Sequence, residues 1–271
     1  MRQTDDMTEP ASSVTYELSD AVATITLSRP ESLNSFDEAT KVAFRDALHS
    51  AAADDAVRCV VVTGSGRAFS AGQDLKEHIS GLRGGDGSLS STVEEHFNPM
   101  VLAITQMPKP VIAAVNGIAA GAGASIAFAA DFRIVGASAG FNLAFAGIAL
   151  SADTGASWTL QRLVGLPKAT EMLMLPRTVR AEEAAALGLA TQVVPDEELA
   201  ETVRELATRL AAGPTVAYAS LKRALAFSAT HSLPESLSNE ARLMALTGAT
   251  EDHRAAVEAF VAKEKPTFVG R

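Results

Sequence analysis

The sequence predicts an α/β fold, a mostly parallel sheet built from strand–helix units and followed by a helical C-terminal region. Three observations predict it. Short apolar, β-branched runs at 59–63, 111–115 and 132–135 are bounded by turn residues, as expected of strands buried on both faces. Helical stretches separate these runs, and strands alternating with helices are the pattern of βα units. From about residue 197 the pattern turns to helices alone, with short polar breaks.

The elements follow in order. Residues 1–12 read as a loose, polar and acidic tail. The runs 14–18 and 22–27 alternate apolar with polar around Ser19-Asp20 and form a hairpin, ended by Arg29-Pro30. Asp37 caps a helix with apolar positions Val42, Ala43, Ala47 and Ala51 at helical spacing. The strand 59–63 enters a loop that runs through Ala71-Gly72 to Leu75. Residues 80–91 hold four glycines and four serines, the composition of a movable lid or of a disordered loop. A helix from Val93 is kinked or restarted at Pro99 and ended by Pro108 and Pro110. Strand 111–115, a Gly/Ala-rich turn, helix 123–130, strand 132–135, helix 157–163 and strand 192–194 come next. Helices at 198–212, 216–227, 235–245 and 251–262 complete the chain. The expected organisation is a tail (1–12), a core (13–196) and a helical appendage (197–271).

Composition excludes several classes of function. The 271 residues are 47% hydrophobic, which rules out global disorder. Lys+Arg number 23 against 32 Asp+Glu, and a net charge of −9 repels phosphodiester backbones, so no nucleic-acid partner is expected. The single cysteine, Cys59, excludes an intrachain disulfide and a cysteine zinc cluster. The first residues contain no apolar stretch of secretory type, so the cytoplasm is the expected compartment. Residues 111–130 could pass for a membrane span, but they are mostly Ala and Gly and are broken by Asn116; they read as buried core. The five histidines form no pairs at metal-ligand spacing, and no metal is expected.

Two glycine-rich loops carry the chemistry. One is Gly64-Ser-Gly-Arg-Ala-Phe-Ser-Ala-Gly-Gln-Asp-Leu75; the other, Asn116-Gly-Ile-Ala-Ala-Gly-Ala-Gly-Ala-Ser125, runs into a helix. Glycine after a strand frees backbone N–H groups to face a ligand, and a helix N-terminus adds partial positive charge. Two such loops could converge on one developing oxyanion, or each could simply pack tightly. A dinucleotide fingerprint fails at its third glycine, where Ile126 stands. Gly136-Ala-Ser138-Ala-Gly140 spells G-x-S-x-G, but no helix is expected to follow it, so it is a chance match. Asp153, in a small and apolar neighbourhood before a helix, reads either as an N-cap or as a general base with a raised pKa. Asp74 and Asp131 read as capping or amide-bonding groups.

The segments Gly66-Arg67-Ala68-Phe69-Ser70-Ala71-Gly72-Gln73-Asp74-Leu75, Lys109-Pro-Val-Ile-Ala-Ala-Val-Asn-Gly117 and 155–165 resemble the crotonase superfamily, the enoyl-CoA hydratases and isomerases. The resemblance spans about 14–265. It implies a crotonase-like ββα spiral core and a C-terminal helical trimerisation region, giving a homotrimer or a dimer of trimers. It also implies an acyl-CoA thioester as substrate, so that coenzyme A enters as part of the substrate and no separate cofactor is needed. The thioester oxygen would be held by the backbone N–H groups of Gln73 and Ala122. Arg67, Ala68, Ala71, Gly72, Asp74 and Leu75 would run along the coenzyme A, with Gly121 in the second loop. Phe260 and Lys263 would reach the nucleotide end of a neighbouring subunit's ligand.

The departures from the family pattern bear on the reaction. Where its hydratases place two glutamates, this sequence has Ser125 and Phe145, which cannot share acid and base duties. Asp153 matches the acid of the isomerase branches, among them the dienoyl-CoA isomerases and the ring-epoxide isomerases of phenylacetate breakdown; the first loop most resembles the latter. The expectation is therefore a double-bond shift with Asp153 as acid and base, in a dry pocket lined by Phe145 and Trp158. The alternatives are an enoyl-CoA hydratase using Asp153 and Ser125, and a non-catalytic acyl-CoA-binding protein.

Overall fold

The computed structural model describes residues 12–84 and 89–271. The chain opens on the expected hairpin, β1 (Val14–Ser19) antiparallel to β2 (Val22–Leu27), with Asp20 and Ala21 at positive φ in the turn. From β2 a sheet continues through the parallel strands β3 (Cys59–Gly64), β5 (Val111–Val115), β7 (Phe132–Gly136) and β10 (Gln192–Val194). A second sheet holds the short strands β4 (Ala68–Ser70), β6 (Ile118–Ala120) and β8 (Gly140–Asn142), all parallel, with β9 (Val179–Arg180) antiparallel at its edge.

The two sheets arise from one repeated unit. β3, β5 and β7 each pass within a few residues to a strand of the second sheet and then to a helix. Those helices are α2 (Leu75–Gly84), α5 (Ala122–Ala129) and, after a 3-10 turn at Ala146–Ile148, α6 (Ala156–Val164). This is a ββα spiral. Alternation along β3 explains its two-sided burial: Val60 and Val62 join the main core, while Cys59 and Val61 join a second cluster under α9 (Leu199–Ala211). That helix covers the opposite face of the sheet with Leu199, Val203, Ala207 and Leu210.

Several local expectations change. Asp37 does cap α1 (Glu38–Ala53), accepting the Thr40 N–H at 2.9 Å. The buried face of α1, however, is Lys41, Phe44, Leu48 and Ala51, with Val42, Ala43 and Ala47 at its margins. The rings of Phe36, Phe44 and Phe97 decide that face, with Phe36 5.6 Å from Phe44 and 5.9 Å from Phe97. The stretch 80–91 divides: 80–84 finish α2, Leu89–Thr92 form a short helix α3, and 85–88 lie outside the described residues. A π-helical turn, Val93–Phe97, then leads into α4 (Asn98–Gln106), which restarts at Pro99, where a missing N–H does no harm. β4 and β6 lie inside the segments read as loops. α7 (Leu166–Met174), α8 (Ala181–Ala186) and β9 fill a region for which the sequence suggested nothing.

The C-terminal part is α10 (Thr215–Ser228), α11 (Leu233–Gly248) and α12 (Glu251–Ala262). Lys222 ties α10 to the spiral, donating to the Ile104 carbonyl and pairing with Asp131, each at 2.8 Å. Asp131 also accepts the Val111 N–H at 2.8 Å, the amide-bonding role its position suggested. The last residues fold back onto the helices. Buried Asp252 accepts the N–H groups of Val269 and Gly270 at 2.7 and 3.0 Å, and Arg58 donates to the Phe268 carbonyl at 3.0 Å. Residues 111–130 become β5, β6 and α5, and among the described residues no helix is long and apolar enough to cross a membrane.

Candidate active site

The first glycine loop is pinned by side chains that face inward from elsewhere. Asn34 Nδ2 donates to the carbonyls of Ser65 and Ala68 at 2.9 and 2.7 Å, and Asn116 Nδ2 donates to that of Gly66 at 2.9 Å. Ser70 Oγ donates to the Asn34 carbonyl at 2.7 Å and accepts the Gly72 N–H at 3.1 Å. Beyond Gly72 the backbone bridges to Phe36. The Phe36 N–H donates to the Gly72 carbonyl at 2.8 Å, and the Asp74 N–H donates to the Phe36 carbonyl at 3.0 Å. With both neighbours of Gln73 bonded to Phe36, its own N–H points the other way, because successive peptide groups alternate along extended chain. Among the described residues that N–H has no hydrogen-bond acceptor.

The second loop meets the first at the same place. Gly72 has φ +84°, and a Cβ there would lie 2.7 Å from the Ala120 carbonyl oxygen and 3.1 Å from the Ala122 nitrogen. A Cβ on Gly123 would stand 2.4 Å from the Ser70 carbonyl oxygen. These glycines let two backbones touch, as the packing reading of the loops expected. Gly121 has φ +52° and donates its N–H to the Asn142 carbonyl at 2.8 Å. Ala122 follows as the first residue of α5, and its N–H also lacks an acceptor among the described residues. Two unpaired backbone donors therefore sit on touching loops, one of them at a helix N-terminus.

Asp153 stands just before α6, the helix that packs against α5. It is not the side-chain cap of that helix. Gly155 occupies the cap position, and Asp153 contributes only its backbone carbonyl, which accepts the Ala156 N–H at 2.9 Å. The carboxylate accepts one side-chain hydrogen bond, from Thr154 Oγ1 at 2.7 Å. Burial raises its pKa above the ordinary aspartate value, and the Thr154 hydroxyl only partly offsets this. Thr154 and Gly155 both have positive φ, and Val101 of α4 backs the turn: a Cβ on Gly155 would meet its Cγ1 at 3.1 Å.

The remaining residues divide by place. Arg67, Ala71 and Leu75 line the first loop with at least partial exposure, and Ala68 is buried in β4. Asp74 is occupied by protein: Ser35 Oγ donates to it at 2.9 Å, Arg29 at 3.2 Å, and the Lys76 N–H at 2.9 Å. Burial alone would raise its pKa, but these bonds together hold it below the ordinary value. Ser125 is fully buried, and its hydroxyl donates back to the Gly121 carbonyl at 3.1 Å. Phe145 is buried beside the 3-10 turn. Trp158 does not line a dry pocket; it is 47% exposed, with the Arg162 guanidinium carbon 3.2 Å from its ring centroid. Phe260 and Lys263, at the end of α12, are exposed and apart from the loops in the single chain.

A model of the enoyl-CoA hydratase/isomerase family matches residues 17–271. The chain belongs to that family. It is 40% identical over 250 residues to the 1,2-epoxyphenylacetyl-CoA isomerase of Escherichia coli K12, covering 92% of this chain and 95% of that one. It is 42% identical over 263 residues to a Rhodobacter capsulatus protein named probable enoyl-CoA hydratase, covering 95% and 98%. Among solved structures, one from Mycobacterium abscessus described as an enoyl-CoA hydratase/isomerase superposes with a TM-score of 0.92 at 43% identity, over 95% of this chain and all of that one.

Within this enoyl-CoA hydratase/isomerase framework, sequence reasoning missed the residues that shape the loops from outside. Asn34 sits at φ 55° in an irregular stretch, and no periodicity marks it. The one available signal was its type, since Asn tolerates positive φ and can bond two backbone carbonyls from one amide. Arg29, which joins Asp74 to Asp37, read only as the end of a strand.

Proposed function

We propose that this enzyme shifts a double bond in an acyl-CoA thioester through an enolate, with Asp153 carrying the proton. The observation that carries the reading is Asp153 itself: a half-buried carboxylate with a raised pKa that caps no helix, beside helices whose loops present two unpaired N–H groups. In the forward step the Asp153 carboxylate takes a proton from the carbon α to the thioester. The C–H electron pair moves toward the carbonyl, and negative charge collects on the thioester oxygen. The N–H groups of Gln73 and Ala122 stabilise that charge; one such donor is worth on the order of 10²–10³ in turnover. Asp153 then returns the proton at the γ carbon and the enolate electrons close the new double bond. A carboxyl group of raised pKa suits both halves, since it takes and releases protons more evenly than an ordinary aspartate.

Ser125 and Phe145 support isomerisation over hydration, because one hydroxyl is spent on its own helix and the other side chain has no proton to give. The hydratase name of the Rhodobacter relative keeps water addition as the second reading. The apolar residues exposed on the C-terminal helices, Leu225, Met244, Phe260 and Val261, support assembly into a homotrimer or a dimer of trimers. The test is mass spectrometry of 2-enoyl, 3-enoyl, dienoyl and aromatic-ring epoxide CoA esters incubated in oxygen-18-labelled water. A product of unchanged mass and altered retention supports isomerisation. Incorporation of labelled water establishes hydration and removes the argument from Ser125 and Phe145. Binding without conversion leaves an acyl-CoA-binding protein.

A further inference from the structure

A buried charge lies next to the first loop. Lys41 on α1 is 1% exposed, and its Nζ lies 2.5 Å from Oε1 of Glu77 on α2. The same Glu77 oxygen accepts from Gln73 Nε2 at 3.0 Å, and its other oxygen accepts the Glu38 N–H at 2.6 Å. Lys41 also reaches Thr92 Oγ1 at 3.4 Å and lies 5.8 Å from the Phe97 ring centroid, just before α4. One carboxylate thus gathers the start of α1, the first turn of α2 and the side chain of Gln73.

We propose that Lys41 and Glu77 are positioning residues that hold the Gln73 N–H in the direction an oxyanion needs. The proposal rests on the enolate reading above. Gln73 is fixed from two sides: its backbone neighbours bond to Phe36, and its side-chain amide is tied to Glu77. The carboxylate can accept only from Nε2, so the amide is oriented and its Oε1 is left buried with no partner. An ion pair of a buried lysine with a half-buried carboxylate contributes little net stability, because burying the ammonium costs much of what the pairing returns. Fixing the geometry of a third group is a use that such a pair can serve, and Gln73 is the group that this one touches. Its backbone N–H gains from this because a donor aimed in advance stabilises charge without reorganising during the reaction.

The test uses acetoacetyl-CoA, whose enolate absorbs in the near ultraviolet and whose enolate fraction on the protein reports how well the two N–H groups hold an oxyanion. Wild-type protein is expected to raise that fraction. Glu77→Ala is expected to lower it about tenfold, short of the roughly 10²–10³ for losing a donor outright. Glu77→Gln, which keeps an acceptor for Gln73 Nε2, restores most of it. Gln73→Ala removes the tether while leaving the backbone N–H and the Lys41–Glu77 pair in place, and is also expected to fall about tenfold. For a CoA ester that wild type converts, kcat falls in step while KM holds within about twofold. A wild-type enolate fraction in folded Glu77→Ala, or in Gln73→Ala should Glu77→Ala fail to fold, overturns the positioning role. Acetoacetyl-CoA that binds wild type with no gain in enolate overturns the oxyanion reading itself and the positioning role with it.

Discussion

Gly72→Ala tests the contact between the two loops. The substitution carries two separable costs. At φ +84° an L-residue is strained by about 1–2 kcal/mol. The new Cβ would also lie 2.7 Å from the Ala120 oxygen where ordinary contact begins at 3.4 Å, so the loops must open by the difference, about 0.7 Å. Together these should destabilise the protein by roughly 1–3 kcal/mol. At roughly 2–4 °C per kcal/mol for a chain of this size, melting falls by roughly 2–12 °C. The effect on chemistry should be larger, because these loops carry the two proposed oxyanion donors. A displacement near 1 Å can cost about 10²-fold, so kcat should fall about 10- to 100-fold while the protein remains folded at 25 °C. Gly188→Ala is the control: it has φ +79°, its Cβ would meet only the Leu163 oxygen at an ordinary 3.5 Å, and it lies away from the loops. It should share the strain and leave kcat unchanged. Steady-state turnover of the best CoA ester, with thermal melts of all three proteins, decides the matter. Wild-type turnover in Gly72→Ala, with a melting loss no greater than the control's, would refute the view that these loops must touch to work.

Further outcomes follow from the same geometry. The folded-state pKa of Asp153 lies above its unfolded value of about 3.9, so the native state binds that proton more tightly. Stability is therefore lost as pH rises through that window, and Asp153→Asn should melt higher than wild type at pH 7.5, with the gain vanishing below about pH 4. Its turnover should drop by about 10²–10⁴, and equal melting at neutral pH would contradict the raised pKa. Asp252→Ala leaves the N–H groups of Val269 and Gly270 without their charged acceptor; a loss of about 1.5–3 kcal/mol and faster carboxypeptidase trimming of the last residues are expected, and resistance equal to wild type would show the tail is held otherwise. Phe260→Asp, at a position 85% exposed in the single chain, should lower the sedimentation coefficient from that of the proposed trimer or hexamer toward that of a monomer; an unchanged value would remove Phe260 from the proposed contact.

The long elements were legible because one force dominates each of them. β3 and β5 are buried on both faces, so every residue is apolar or small and the run announces itself. α9 buries the stripe Leu199, Val203, Ala207 and Leu210, and its period survives. The short strands β4, β6 and β9 could not be read this way. Each has two or three residues, too few for any period, and each exists because the backbone of a neighbouring repeat lies beside it. The ββα repeat is likewise invisible as a sequence repeat. It is a repeat of backbone path, and the loops between its strands differ in length and in residue type.

The site shows the same division in sharper form. The proposed donors are backbone N–H groups, for which side-chain identity is silent; what the sequence displays is glycine, and glycine is as compatible with packing as with binding. The structure shows why that ambiguity cannot be resolved from sequence: at Gly72 the missing Cβ is what lets Ala120 and Ala122 approach, so tight packing is the means by which the donor on one loop is brought to the donor on the other. Asp153 differs because the role proposed for it belongs to its side chain. There the competing reading, a helix cap, makes a geometric prediction of its own, a carboxylate bonded to the first turn of α6. The carboxylate is bonded to Thr154 instead, and only the backbone carbonyl serves the helix. A half-buried acid that neither caps nor pairs gains little stability from its charge, and its raised pKa reflects that cost. Such a group is better explained by the proton it can move than by the fold it sits in, and the pH dependence of Asp153→Asn is where the two explanations part.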